Sequence, residues 1–251
     1  MDKPIFELKK VFSVKDYLDC YTPFLTEERT RKEVAFIEQT LRLTKNMKIL
    51  DLCCGHGRIS NSLAERGYDI TGFDITKGFL KIAKKEAKKK KLKVAYVYGD
   101  MKRLPWKNRF DIILNIFTSF GYADDKTNLR ILKNAAQALR KNGRFFIEHT
   151  NRDYILKNYL PYNVSETNGK YLINGNKFDV ATSRNYTQRM LVKDGKIKKM
   201  RFFVRMYTFT ELKTLLETVG LKVIKVFGDY DLNAKFTLDS RRIIIISKKF
   251  N

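Results

Sequence analysis

A short apolar run, Met47-Lys48-Ile49-Leu50-Asp51-Leu52, leads directly into a small-residue turn, Cys53-Cys54-Gly55-His56-Gly57, and a helix opens at Arg58. The first segment reads as a buried strand. The small residues of the turn let the backbone come close to a ligand, and the following helix N-terminus offers N–H groups without intrahelical partners. That helix runs from Arg58 to about Arg66, and Gly67 closes it with a left-handed cap. Outward from this unit the pattern repeats. Tyr68 to Asp74 is a strand, Gly78 to Lys91 a helix, 93–98 and 110–116 strands, 126–140 a helix, Lys141-Asn142-Gly143 a stop, and 144–149 a strand. Upstream, Val34, Ile37 and Leu41 recur at helical spacing within Thr30–Leu43. Strands apolar on both faces and separated by helices predict an α/β, Rossmann-like, doubly wound parallel sheet.

Beyond Thr150 the periodicity changes. Two strand-like runs, around 178–192 and 197–207, are joined by Asp194-Gly195, a two-residue hairpin signal, and Asn174-Gly175 is a second turn signal upstream. A helix over Thr210–Thr218, capped near Thr208 or Thr210 and ended by Gly220, precedes strands at 221–227 and 241–247. Residues 1–30 mix Phe and Tyr among charges without a clear period. Neither a repeat nor a low-complexity linker interrupts the chain. The expectation is one domain over 1–251 carrying an antiparallel β insertion at 151–207.

The composition sets bounds. With 251 residues and 43% hydrophobic content the chain is globular rather than disordered, and three cysteines, two of them adjacent, do not make a disulfide scaffold. Met1-Asp2-Lys3-Pro4 has no apolar run behind it, so no signal peptide is readable, and no stretch approaches a membrane span. A cytoplasmic location with no membrane partner is expected. The formal charge of +24, from 51 Lys+Arg and 27 Asp+Glu, raises the question of a polyanionic partner.

Acids mark the ends of three successive strands. Asp51 closes the first, Asp74 in Gly72-Phe73-Asp74 the second, and Asp100 in Gly99-Asp100-Met101 follows the third. They converge on one crevice at the carboxyl edge of the sheet. Asp74 stands where a ribose diol is bound, and Asp100 is placed to meet an adenine edge. A dinucleotide fingerprint requires a third glycine, but Arg58-Ile59-Ser60 follows Gly57, and Asp51 opposes a pyrophosphate. S-adenosylmethionine has adenosine, an ammonium and no phosphate, and suits these acids better. Cys53, Cys54 and His56 do not form a metal site, because adjacent cysteines in a tight turn point apart.

Ile49 to Arg58 resembles motif I of class I S-adenosylmethionine-dependent methyltransferases, and Asp74 and Gly99-Asp100-Met101 resemble their second and third motifs. Cys53 stands where such enzymes mostly have glycine. The resemblance implies a seven-stranded sheet whose last strand is antiparallel, S-adenosylmethionine as cofactor and S-adenosylhomocysteine as product. It implies donor contacts from Arg29, Asp51, Cys53, Gly55, Gly57, Asp74, Ile75, Asp100, Met101, Asn115 and Phe117. The flanks are similar to glycine N-methyltransferase-like enzymes: Arg29-Thr30, whose Arg would hold the donor carboxylate; Thr118-Ser119-Phe120; Ile147 to Asp153, whose Asn151 would help hold the acceptor; and Phe227-Gly228-Asp229-Tyr230.

Methyl transfer needs alignment above all, and a base only if the nucleophile arrives protonated. His149 is the candidate base, with Tyr122, Asn151, Arg205 and Tyr207 as acceptor-side residues; a strand-end His149 held by hydrogen bonds, and exposed Arg205 and Tyr207, are the alternatives. The loop after strand four, Asn115-Ile116-Phe117-Thr118, lacks the prolines of base-amine methylation, and no cysteine lies there for cytosine C5 chemistry. Lys81 to Lys93 holds eight Lys and one Glu, leaving Leu80, Ile82, Ala83 and Ala87 for the buried side. With no aromatic interleaved, this is the layout of a solvated helix rather than of a stacking surface. A small-molecule methyltransferase is therefore expected. An RNA-directed enzyme comes second, a non-catalytic donor-binding module third, and oligomeric state is left open.

Overall fold

The computed structural model describes residues 5–250, so the Met1-Asp2-Lys3-Pro4 reading lies outside the described residues. Two helices, α1 (Leu8–Val11) and α2 (Val14–Tyr21), lie where the sequence shows no period. Helix α3 (Glu27–Leu41) follows, capped by the Thr26 hydroxyl, which accepts from the Arg29 N–H. Strand and helix then alternate through β1 (Lys48–Leu52), α4 (Arg58–Glu65), β2 (Asp69–Asp74), α5 (Lys77–Lys89), β3 (Val94–Tyr98), β4 (Phe110–Asn115), α6 (Asp125–Ala138) and β5 (Leu139–Thr150). After α7 (Arg152–Lys157) come four strands, β6 (Tyr162–Thr167), β7 (Lys170–Asp179), β8 (Arg184–Lys193) and β9 (Lys196–Arg205). Helix α8 (Phe209–Thr218), β10 (Leu221–Phe227) and β11 (Arg242–Lys249) end the chain.

The main sheet has the order β10-β11-β5-β4-β1-β2-β3, with β11 antiparallel to both neighbours. Chain order reverses between β1 and β4, which opens a crevice beyond the carboxyl ends of these two strands. Both faces of the sheet are covered. One core packs Leu50, Leu52 and Phe145 with Leu132, Leu212 and Leu216, and the other packs Ile49, Ile112 and Phe146 with Val34, Ile37 and Leu63. That is why the central strands read as continuous apolar runs. Helix α5 buries Phe79, Leu80, Ala83 and Ala87, while Lys81, Lys84, Lys85, Lys88, Lys89, Lys90 and Lys91 are exposed. The lysines are the solvated side. Phe79, rather than Ile82, completes the buried stripe.

The inserted sheet, β6-β7-β8-β9, differs from expectation in its turns. Asn174-Gly175 is not a turn. It lies inside β7, where Gly175 pairs with Tyr162 on β6 and Gln188 on β8. The hairpin sits instead at Asn168-Gly169, both left-handed at φ 51° and 71°, as Asp194-Gly195 is between β8 and β9 at 51° and 66°. The run at 178–192 is likewise split, because β7 ends at Asp179 and β8 begins at Arg184. Lys141-Asn142-Gly143 does not separate helix from strand either. Strand β5 starts at Leu139 and passes through a register shift against β4 with Asn142 at φ 65°.

The N-terminal segment is tied to the inserted sheet by ion pairs and hydrogen bonds. Lys198 Nζ on β9 lies 2.8 Å from both Asp16 carboxylate oxygens, Asp19 pairs with Lys170 at 2.9 Å and with Lys193, and Glu7 exchanges hydrogen bonds with Arg201.

Candidate active site

The turn after β1 is shaped by crowding. Cys53 (φ 66°), Gly55 and Gly57 all take left-handed backbone. A Cβ on Gly57 would collide with the buried Tyr96 hydroxyl and lie 2.7 Å from Ala83 Cβ, so this residue must be glycine for packing as well as for φ. The chain thereby turns sharply enough to expose the Gly55-His56 backbone to a cavity of about 380 Å³. Asp51, Cys53, Gly55, Asp74, Ile75, Asp100, Met101, Phe117 and Tyr122 all line it.

The acids have distinct jobs. Asp74 is buried and binds the turn itself, Oδ2 accepting from Gly55 N–H at 2.9 Å and Oδ1 from Thr76 N–H at 2.7 Å. Burial raises its carboxyl above the ordinary range despite those donors. Asp51, 1% exposed, accepts from Ser60 Oγ at 2.6 Å through Oδ2, while Oδ1 has no hydrogen-bond partner among the described residues. Burial pushes the Asp51 carboxyl up to about 6, with the Ser60 hydrogen bond and Arg58 opposing the rise. A buried carboxylate oxygen without a donor is costly. A cationic N–H donor entering the cavity removes that cost. Asp100 is more open, with Oδ1 accepting from Lys102 N–H at 2.9 Å.

Three expected donor contacts fall elsewhere. Gly57 stands behind the lining. Asn115 is buried at the end of β4 and donates to Leu52 O at 3.3 Å, outside the cavity. Arg29 lines a second cavity, its guanidinium 5.5 Å from the Phe117 ring centre. Arg58, which the sequence named as the start of a helix and the end of the first motif but not as a donor contact, lines the first. The two arginines are yoked by one buried carboxylate, Glu33, at 2.7 Å from Arg29 and 2.6 Å from Arg58.

The second cavity adjoins the first, and Phe6, Phe12, Tyr17, Phe117, Ser119 and Tyr122 line both. Its far wall comes from Glu148, Arg242 and the inserted sheet through Arg189, Phe202 and Val204. Between the cavities, Phe117 and Thr118 are consecutive left-handed residues at φ 57° and 53°, and Glu148 Oε2 holds them by accepting from Phe117 N–H at 2.6 Å. Burial raises the Glu148 carboxyl, with Arg242 and the Phe117 amide opposing. Backbone strain of this kind persists where surrounding contacts enforce it.

Of the expected acceptor-side residues only Tyr122 is present. His149 is fully buried, its ring nitrogens 2.9 Å from Thr150 O and 3.2 Å from Phe120 O, and burial lowers its affinity for a proton. It lines neither cavity. Successive strand residues face opposite sides, so Glu148, its neighbour, is the one that reaches the cavity. Asn151 caps α7 and donates to Thr237 O and Ser240 O, anchoring the loop before β11. Arg205 pairs with Asp125 at 3.2 Å and Glu211 at 2.6 Å, and Tyr207 stacks on Phe120 and takes a hydrogen bond from Asn128. These three tie the insertion and the β11 loop to the rest of the protein and line neither of these cavities.

Reversed chain order, a glycine turn and acids at successive strand ends define the class as an α/β nucleoside-binding fold. Comparison with known proteins then sharpens this. Residues 49–143 match the methyltransferase domain family, so this segment is a methyltransferase domain and the sequence resemblance holds. The chain is 35% identical over 116 residues to a ubiquinone biosynthesis O-methyltransferase of Pelagibacter ubique (46% of each chain). It is 29% identical over 145 residues to glycine N-methyltransferase of Rattus norvegicus (52% of this chain, 50% of the relative). It thus spans about half the length of the curated relatives it matches. The fold is that of an S-adenosylmethionine-dependent methyltransferase from Clostridium acetobutylicum, with TM-score 0.80 at 20% identity over 95% of this chain and 98% of that one.

Proposed function

We propose that the protein is an S-adenosylmethionine-dependent methyltransferase acting on a small-molecule nitrogen or oxygen nucleophile. The observation that carries this is the pair of cavities sharing one wall, the first lined by Asp51, Asp74 and Asp100 and the second open to an acceptor. The unpartnered Asp51 Oδ1 suits the ammonium of the donor's amino-acid end, with Arg58, which lines the same cavity, as the cation for its carboxylate. Asp74 suits the ribose hydroxyls and Asp100 with Met101 the adenine. When bound, S-adenosylmethionine supplies a sulfonium methyl whose S–C bond breaks as the acceptor forms its N–C or O–C bond, leaving S-adenosylhomocysteine.

The protein's own part is to align and to dry. Phe6, Phe12, Tyr17 and Tyr122 exclude water at the junction, where a well-aligned encounter lowers the barrier by several kcal/mol. Glu148, with its raised carboxyl, takes the place expected of His149 as the group that accepts a proton released by the acceptor. Residues 151–207 form the roof of the acceptor side within a single domain. Free cysteines, and no helix among the described residues long and apolar enough to cross a membrane, support a cytoplasmic setting. The +24 charge supports an RNA-directed alternative, which predicts nucleic-acid affinity falling steeply with salt.

Calorimetry with S-adenosylhomocysteine tests the donor site. Wild type binds, and Asp74→Ala binds about 30-fold or more weakly, the loss of charge-assisted hydrogen bonds to the ligand and of the turn's own anchor. Unchanged affinity in Asp74→Ala overturns the donor assignment. Transfer of labelled methyl from S-adenosylmethionine into a metabolite extract then tests turnover.

A further inference from the structure

The second cavity carries more positive charge than its carboxylates absorb. Arg29, Arg189, Arg241 and Arg242 line it, against Glu148 alone. Arg29 is held by Glu33, and Arg242 lies 3.9 Å from Glu148 and 3.7 Å from Asp229. Arg189 differs. Its Nε donates to Asn174 Oδ1 at 2.8 Å and its Nη1 to Tyr21 Oη at 2.8 Å, both neutral acceptors. Its guanidinium is half-buried, 4.8 Å from the Phe202 ring centre and 5.7 Å from that of Tyr21. Among the described residues no carboxylate forms an ion pair with Arg189 or Arg241, and Arg189 Nη2 has no hydrogen-bond partner. Two aromatic faces and two neutral hydrogen bonds therefore fix the plane of a cation without neutralising it.

A guanidinium fixed in this way and partly withdrawn from water presents its remaining donors to an oxyanion, carboxylate or phosphate, the groups its fork geometry matches. The cavity wall also has an internal direction. Arg189 comes from the inserted sheet, whereas Phe117 and Tyr122 belong to the wall shared with the donor cavity. We propose that Arg189, assisted by Arg241, is the specificity-determining residue that receives an oxyanion of the methyl acceptor, a carboxylate or a phosphate monoester. This seats the acceptor's nucleophile at the shared wall, and it rests on the reading of the second cavity as the acceptor site. Glu148 at the same cavity disfavours an anion beside it, so the two charges set the orientation of the acceptor.

Matched probe pairs test this with the full chain saturated with S-adenosylhomocysteine: phenylacetate against phenylacetamide, and phenyl phosphate against phenol, each titrated by calorimetry. At least one acid is expected to bind about tenfold or more tightly than its neutral partner, as a charge-assisted pair on a positioned arginine provides. The arm that shows the preference identifies carboxylate or phosphate as the oxyanion. In Arg189→Gln the preference falls to near unity, and Arg189→Lys restores part of it; S-adenosylhomocysteine binding reports that each variant is folded. Arg241→Gln, at an exposed residue without a side-chain partner among the described residues, cuts the preference by a smaller factor and covers the case of a misfolded Arg189 variant. No preference for the acids, whether both members of each pair bind or neither does, overturns the proposal, as does a preference that survives both glutamine variants. Failure of wild type to bind S-adenosylhomocysteine strikes the methyl-transfer reading instead, since the probe pairs can be titrated without it.

Discussion

The two cavities of this protein, proposed as its donor and acceptor sides, are built in opposite ways. Asp51, Gly55, Asp74, Asp100 and Met101 all fall within about fifty residues, each at the end of a strand that pairs with the next through β1, β2 and β3. The acceptor side draws Phe6, Arg29, Tyr122, Glu148, Arg189 and Arg242 from six separate segments of the chain. In the first case one repeated unit, strand then turn then helix, places every group. In the second, these six groups come from segments far apart in the chain and are brought together by different packing contacts. A site made by local repetition tolerates little change in backbone, while one made by assembly depends on which side chains happen to face inward.

Glycine substitutions break the comparison most forcefully. Gly57→Ala, on the donor side, must displace the buried Tyr96 and Ala83 as well as strain φ, and is expected to lower unfolding free energy by about 3 kcal/mol in urea titration. Gly169→Ala, on the acceptor-side sheet at φ 71° with nothing near its added Cβ, should lose only about 1 kcal/mol. Equal losses would show that the donor turn is not specified by crowding.

A smaller effect comes from protons. With the Asp51 carboxyl pushed up to about 6, S-adenosylhomocysteine affinity should fall by up to about tenfold per pH unit below pH 6, as the partner of the ammonium is neutralised. Asp51→Asn should bind weakly at every pH and lose the slope. In the unliganded protein the sign reverses. The folded state holds this proton more tightly than the unfolded chain, so the contribution of Asp51 to stability is present below about pH 4 and lost as pH rises through about 6. An affinity flat across that window removes Asp51 from the ammonium site.

The smallest expected change sharpens the boundary of the acceptor side. Tyr207→Phe removes a buried hydroxyl that accepts from Asn128 Nδ2 at 2.9 Å, and should cost about 1 kcal/mol of stability with donor and probe binding unaltered. A larger effect on binding than on stability would return Tyr207 to the acceptor site.

The sequence by itself determined the sheet, the glycine turn and the three acids. The burial of both sheet faces and the left-handed turn impose residue types at fixed local spacing, and spacing is what a sequence displays. It also separated the lysines of α5 from any binding surface, because their helical period leaves Leu80, Ala83 and Ala87 as the buried stripe. It did not determine which face of β5 meets the cavity. His149 and Glu148 are adjacent, both buried and both chemically suited, and the choice between them rests on the register of β5 against β4 and β11. Nor did it single out Phe6, Phe12 and Tyr17 or Arg189, which carry no period and acquire their role only where the inserted sheet and the N-terminal segment close over Phe117. Those placements are long-range packing outcomes, set by tertiary contacts between segments that have no regular relation along the chain.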